Sequence, residues 1–429
     1  MIRLTISMLL LCLLSGATMP SCPTTEAKLP TAARYTVTDI GTLGGSNSFA
    51  YAINSSGMVT GGANTPGQND FFAQTGFLWY GGQPISLGTL PGPDCPTCSS
   101  QGAAASANGS VAMISETASS DPNGEDFCEW GTHRQCLAAV WRNGTITALP
   151  TLPGGNNSEA YFVNNHGIIS GVSETGTSDS NCATPFQVRR FEGVMWALDG
   201  TPTRLAPLDG DTVSFSFSNN DRGDAVGFSG LCSNVTLPPF LPPSAPHAVV
   251  WDVNGMPRDL GNPAGGAGNN VAVSINNRGQ VTVNSAMLDG SIHAFLSSDG
   301  VLKDLGTYPA DSVATVAPCC NTINNRGQIV GFSVDSSFNQ RAIFWEDQNT
   351  DPVDLNSLIP ADSPWYVLSP GGINDAGAIA ATAVNLNTFE IHAVLLSPVK
   401  GVGPDARGAT RPPDLPASVR QTVLKKIRQ

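Results

Sequence analysis

The residues best equipped for chemistry in the body of this chain are eight cysteines: Cys95, Cys98, Cys128, Cys136, Cys182, Cys232, Cys319 and Cys320. Cys95 and Cys98 enclose two residues in CPTC, a spacing with which paired thiolates grip zinc. A closed zinc site takes four ligands, however, and no second CxxC or HxxxH follows. An even number of cysteines in an exported chain reads instead as disulfides. The expected bridges are Cys95–Cys98 and Cys128–Cys136, the latter closing within one loop, followed by Cys182–Cys232. A vicinal bridge between Cys319 and Cys320 is strained, so this pair either bonds elsewhere or marks a special turn.

Acid–base chemistry finds little to work with. The chain holds no HExxH, GxSxG, phosphate-binding GxxxxGKS or GxGxxG. Of five histidines, His247, His293 and His392 recur at one position of a repeat described below and read as structural, which leaves His133 and His166. Acidic residues crowd at Asp121–Glu129 (DPNGEDFCE) and at Asp209 and Asp211. Oxygen at this density suits Ca²⁺, but neither run fits the twelve-residue EF-hand pattern, and solvated loop charge is expected. No catalytic residue, metal or cofactor is assigned. Five of the seven tryptophans also recur in the repeat. Trp130 and Trp365 do not, and together with Tyr366 they are the candidate ligand contacts: aromatic faces able to stack on a sugar or a peptide, or else covers for loop backbone.

What carries these residues is an export-type chain. Residues 1–21 read as a signal peptide, with Arg3, an apolar run from Ile6 to Leu14 and then small residues. That run is too short for a membrane span. Cys22 is a lipidation site only if the poorly matching Met19-Pro20-Ser21 is accepted, and soluble export to the periplasm, cell surface or medium is the expectation. Residues 22–34 form a linker, 35–398 the folded body and 399–429 a basic tail, expected to be disordered or at most a short basic helix. The body holds 31 Asp or Glu against 11 Lys or Arg. Nucleic acid is therefore excluded as a partner. With 46 Gly and 32 Pro against only 13% charged residues, turns dominate and the class is all-β.

The body repeats. Asn-x-x-Gly followed by an apolar stretch recurs at Asn54, Asn164, Asn220, Asn276, Asn324 and Asn374, with a degraded copy at Ser106 to Gly109. After each comes a strand of the type His-Ala-Phe, ending at Trp79, Trp141, Trp196, Trp251, Ser297, Trp345 or Ser397. Before each lies a segment of the type Asp-Leu-Gly-Thr-Leu, starting with DIGTL at Leu43. Four strands per copy of about 50 residues is a propeller blade. The first Asp-Leu-Gly strand, residues 35–43, has no copy before it, and the last copy lacks one. The ends are expected to pair and close a seven-bladed ring, with the Ile-Asn strand innermost.

These motifs resemble those of the HAF-repeat family of extracellular repeat proteins, whose triplet stands here as His293-Ala294-Phe295 and in weaker form at His247 and His392. The resemblance spans nearly all of 35–398 and implies export and architecture, with no enzymatic activity to carry over. The strand order places the Asn-x-x-Gly turns on one face and the variable loops, with the cysteines, on the other. The functional expectation is a noncatalytic, monomeric binding or scaffold module that meets an extracellular glycan or protein through that loop-rich face. The rival is a propeller hydrolase or lyase, because two carboxylates on separate blades leave no linear signature.

Overall fold

The computed structural model describes residues 33–403 except 69–72, 91–93, 183–186, 236–243, 264, 310, 317–320 and 337–338, together with Leu415 and 419–421. The signal peptide, most of the linker, Cys12, Cys22, Cys319 and Cys320 lie outside the described residues.

Twenty-eight strands form the framework of the described body. After β1 (Tyr35–Gly41), β2 (Ser48–Ile53), β3 (Val59–Ala63), β4 (Thr75–Trp79) and β5 (Ile85–Gly88) form an antiparallel meander. The same order repeats in β6 (Ser100–Ala105), β7 (Val111–Ser120), β8 (Arg134–Arg142) and β9 (Thr145–Ala148), and in β10 (Ser158–Val163), β11 (Ile169–Ser178), β12 (Arg189–Trp196) and β13 (Pro202–Leu205). It continues through β14 (Val213–Asn219), β15 (Ala225–Gly230), β16 (His247–Trp251) and β17 (Pro257–Asp259). An eight-stranded sheet holds two further meanders. They are β18 (Gly265–Ile275), β19 (Val281–Met287), β20 (Ile292–Ser298) and β21 (Val301–Asp304), then β22 (Asp311–Val316), β23 (Ile329–Asp335), β24 (Gln340–Trp345) and β25 (Val353–Asp354). Finally β26 (Trp365–Ile373), β27 (Ile379–Asn385) and β28 (Ile391–Pro398) join β1.

The seam between the chain ends is closed as the repeat order requires. β1 runs antiparallel to β28 in a register from Tyr35 opposite Pro398 to Gly41 opposite Ala393. Tyr35 and Ile40 are buried by it. The middle strands of each sheet, such as β3 and β15, are buried on both faces, while fourth strands such as β9 and β21 alternate outward into solvent. Sheets must therefore pack face against face, which is how an all-β repeat without helices hides its apolar surface.

The turn asparagines tie neighbouring sheets together. In each turn Oδ1 accepts two backbone N–H groups, as Asn54 does from Ser56 (3.0 Å) and Met58 (2.8 Å), so the side chain builds its own turn. The side-chain amide then donates to the next turn's carbonyl: Asn54 to Ser106, Asn164 to Asn220, Asn220 to Asn276, Asn276 to Asn324, Asn324 to Asn374 and Asn374 back to Asn54. Bonds that run from turn to turn and come back to Asn54, with one gap between Ser106 and Asn164, make these first strands the inner wall of a β-propeller. Glycine is needed in the turn for its positive φ and for space: at Gly327 φ is 87°, and an added Cβ would sit 2.8 Å from the Arg278 guanidinium reaching over from the preceding turn.

Candidate functional site

Most residues with chemical potential at repeat positions serve the frame. The imidazole Nδ1 of His247 lies 3.2 Å from Asp259, that of His293 2.9 Å from Asp304, and that of His392 2.9 Å from Asp39 across the closing strand pair. Each of these aspartates also accepts the N–H of the glycine two residues on, at 2.8 Å, so the His-Ala-Phe and Asp-Leu-Gly motifs are two halves of one contact. Burial pushes the Asp39 carboxyl upward, but the bonds from His392 and the Gly41 N–H outweigh it and hold the group below the usual carboxylate range. Three repeat tryptophans cross between sheets: the indole N–H of Trp196 donates to the Pro150 carbonyl, that of Trp251 to Ala206 and that of Trp345 to Leu305. Burying an indole demands a partner for its N–H, and for these three it is the chain just past the preceding outer strand, whereas Trp79 donates to Gly82 in its own hairpin at 3.0 Å.

At the Asn-x-x-Gly end a cavity of about 110 Å³ lies among the turns, with Ile53, Val163, Ile275 and Ile373 beneath a collar of Asn165, Asp221, Asn277, Asn325 and Asp375. These collar groups bond one another, as Asn165 and Asn277 do through Asp221 and Asn325 does to Asp375. His166 sits exposed in one of these turns and its backbone N–H donates to Asn164.

The opposite end holds the insertions. Cys95–Cys98, Cys128–Cys136 and Cys182–Cys232 are disulfides, the three pairs expected from sequence. The Arg134 guanidinium lies 3.1 Å from the Cys95 sulfur and donates to Thr97, pinning the first bridge to β8. The Cys128 and Cys136 sulfurs and the Glu159 carboxylate fall within 4.8 Å of one another, but both sulfurs are committed to each other and offer no thiolate to a metal.

The acidic run is where expectation and structure part. Solvated charge describes Asp209, which is exposed, but not Asp121, Glu125 or Asp126, which are buried. The loop after β7 folds inward because its carboxylates serve as acceptors for backbone that no strand satisfies. Asp121 accepts the N–H groups of Asn123 (2.7 Å) and Glu125 (2.9 Å), Asp126 that of Gly131 (2.9 Å), and Glu125 those of Val188 and Arg189. Asn157, fully buried at the head of β10, joins Asp121 to Glu174 through its amide.

Glu174 in turn takes the N–H groups of Asn156 and Asn157, both at 3.0 Å, and hydrogen-bonds the Glu125 carboxyl. Burial, with the Glu125 charge second, raises the Glu174 carboxyl to about 8. Burial raises Glu159 to about 7 despite the Tyr161 hydroxyl donating to it at 2.6 Å, and burial with the Glu159 and Asp126 charges raises Glu129 to about 8. Glu159 and Glu174 were missed because each stands alone in sequence. The available signal was a charged residue at the same point of two consecutive repeats, Ser115-Glu116-Thr117 and Ser173-Glu174-Thr175, each ending a buried strand.

The three candidate aromatic contacts do not come together. Trp130 is half-buried beside the acidic network. Trp365 is 9% exposed and belongs to the core with Tyr35 and Leu396, its ring 5.4 Å from that of His392. Tyr366 is 5% exposed and packs with Phe49, Val384 and Ile391, and with Leu415 and Val419 of the tail. The reading of Trp365 and Tyr366 as open stacking surfaces gives way to burial, because they begin an inner strand whose side chains pack against β2 and β28. Of the tail, Leu415 and Val419 are buried against the body.

No protein-family model and no curated protein matches this chain. Among solved structures it is similar to TolB from Acinetobacter baumannii, at 10% identity and a TM-score of 0.38 over 84% of this chain and 65% of that one, so it spans just under two thirds of that protein. It is also similar to the selenomethionine-substituted virginiamycin B lyase from Staphylococcus aureus, at 12% identity and 0.44 over 85% and 100%. The β-propeller domain of the Trilobed protease from Pyrococcus furiosus is similar at 7% identity and 0.46 over 82% and 95%.

Proposed function

We propose that this chain is an exported, HAF-repeat-type propeller of seven blades that works as a noncatalytic binding module through its loop-rich end. The blade count is supported by the eight-stranded sheet, whose two meanders touch in register only at Ile292 and Val313 while β21 stays paired to β20. The Asn circuit, with Ser106 standing in for one asparagine, supports the same number. The observation that carries the function is a division of labour: repeat residues are engaged in the frame, and the insertions all leave at one end, where three disulfides staple them. Such bridges fit an oxidising compartment, and loops held on a rigid scaffold are where recognition is placed. The test is to screen the purified exported protein against glycan and peptide arrays. A hit weakened by Trp130→Ala and untouched by His166→Ala, at the far end, is expected. No hit, or a hit lost with His166, overturns the reading.

A second reading rests on Glu129 and Glu159, carboxyls held protonated near neutral pH at the mouth of β10, where one could act as general acid. Turnover of a glycan pool abolished by Glu159→Gln, with the fold intact, would favour it over the binding module.

A further inference from the structure

One apolar cluster of the ring takes in side chains from beyond the last strand. At the loop-rich end Phe49 on β2, Tyr366 on β26, Val384 on β27 and Ile391 on β28 are joined by Leu415 and Val419, which lie beyond the last strand. Leu415 is 7% exposed and Val419 4%, values that only a surface receiving them can produce. Half-buried Tyr51, Leu368 and Leu386 flank the patch. Arg420 donates back to the Leu415 carbonyl at 3.3 Å. Leu415 and Val419 thus both turn aliphatic side chains to the patch.

The tail gains little order of its own. An isolated helix of this length does not hold in water, and two buried aliphatic side chains must offset the entropy of ordering the segment. The contact is therefore weak by design of the sequence and open to competition. Its chemistry is also specific: the tail is basic, with Arg411, Arg420, Lys425, Lys426 and Arg428, while the body carries a large excess of acid. Aliphatic anchors with flanking positive charge describe a ligand class, amphipathic basic peptide, for which the receiving patch is apolar and aromatic.

We propose that the patch formed by Phe49, Tyr366, Val384 and Ile391 is a peptide-docking site, occupied in the resting protein by the chain's own Leu415 and Val419. A partner presenting two aliphatic side chains four residues apart with basic neighbours displaces that segment. This deepens the reading of the loop-rich end as a binding face and rests on it.

The test uses the full chain and its Leu415→Asp/Val419→Asp variant, which leaves every strand untouched. The probe is a fluorescein-labelled synthetic peptide of residues 411–425, followed by anisotropy. The peptide is expected to bind the variant at least tenfold more tightly than the full chain, whose own tail competes. A peptide carrying the same two aspartates should not bind. Hydrogen exchange at residues 48–51 and 384–391 is expected to quicken in the variant. Equal affinity for both chains, no binding to either, or unchanged exchange overturns the proposal. The array screen keeps the two readings apart. Array ligands lost with Trp130→Ala but no tail displacement would sink only the docking site, whereas displacement without array hits would sink the Trp130 surface and leave the docking site standing.

Discussion

At the Asn-x-x-Gly end, neutral amides satisfy one another in a circuit that passes from turn to turn and returns to Asn54. At the loop-rich end of β6–β13, buried carboxylates do the equivalent work, with Asp121, Glu125 and Glu174 accepting backbone N–H groups that no strand reaches. The first solution is a repeat unit copied along the chain, and it carries no ionisation cost. The second is confined to two consecutive repeats, where Glu116 and Glu174 hold one position and the insertions supply the other carboxylates, and it places charge where water is excluded. The amide circuit is thus indifferent to pH, whereas the carboxylate end ties its stability to protons.

The frame breaks most completely at its seam. Deleting residues 35–43 removes Tyr35 and Ile40, each worth roughly 1.5–3 kcal/mol when buried, and leaves β28 as an open edge. It also strips His392 of Asp39. Loss of the cooperative thermal transition, or a drop in melting temperature of tens of degrees, is the expected outcome. Deleting 404–429 removes only the docked Leu415 and Val419 and should shift the melt by a few degrees at most. Equal melting temperatures would show that closure is not what holds the ring.

The carboxylate end is probed next by pH. Burial raises the native carboxyls of Glu159 to about 7 and of Glu129 and Glu174 to about 8, against an ordinary value of 4.5. A raised native value means the folded state holds protons that the unfolded state has released. Stability from these groups is present in full below about pH 4.5 and is lost as pH rises through 7 to 8. Urea midpoints should therefore fall between pH 5 and pH 9. Glu174→Gln fixes the neutral form and still offers an oxygen to Asn156 and Asn157, so its midpoint should fall less and exceed the parent's at pH 9. Parallel pH curves for the two proteins would mean that the Glu174 carboxyl is not held protonated in the folded state.

The frame was legible in sequence because repetition exposes it. The DIGTL orphan at the start and the missing outer strand at the end foretold the β1–β28 pair, and loop equivalence foretold Cys182–Cys232. His247, His293 and His392 were placed as structural by position alone, although nothing local named Asp259, Asp304 and Asp39 as their partners. The carboxylate network was not legible. Glu125, Asn157 and Glu174 meet through three separate loops, and DPNGEDFCE has the composition of solvated charge until its acceptor role is seen. Trp365 and Tyr366 misled for a related reason: breaking the tryptophan pattern marks an exception, and the exception was an inner-strand start rather than an open surface.

The finest test of the comparison lies in the one turn where the neutral circuit fails. Ser106 receives the Asn54 amide on its carbonyl at 2.8 Å, but its hydroxyl turns to Asn108 and, at 3.2 Å, to the Ser110 carbonyl. It has no amide to pass on. The Asn164 carbonyl, which by analogy should receive one, accepts the Gly167 N–H at 3.1 Å as every such turn does. Ser106→Asn supplies the missing donor in a backbone already shaped for it, with Gly109 at φ 83°. One added neutral hydrogen bond is worth about 0.5–1.5 kcal/mol, and the gain should sit at the lower end because the Asn108 contact is given up. The reverse change, Asn374→Ser, removes the amide that closes the circuit onto Asn54 and should cost at least as much, since that carbonyl then loses a partner it has. Paired urea titrations at one pH read both effects. A gain at 106 matched by a loss at 374 would make the amide circuit an independent contributor to stability. No change at 106 with a large loss at 374 would instead assign the asparagine's value to its own turn, where Oδ1 holds the Ala376 and Ala378 N–H groups, and reduce the circuit to a consequence of how the sheets are spaced.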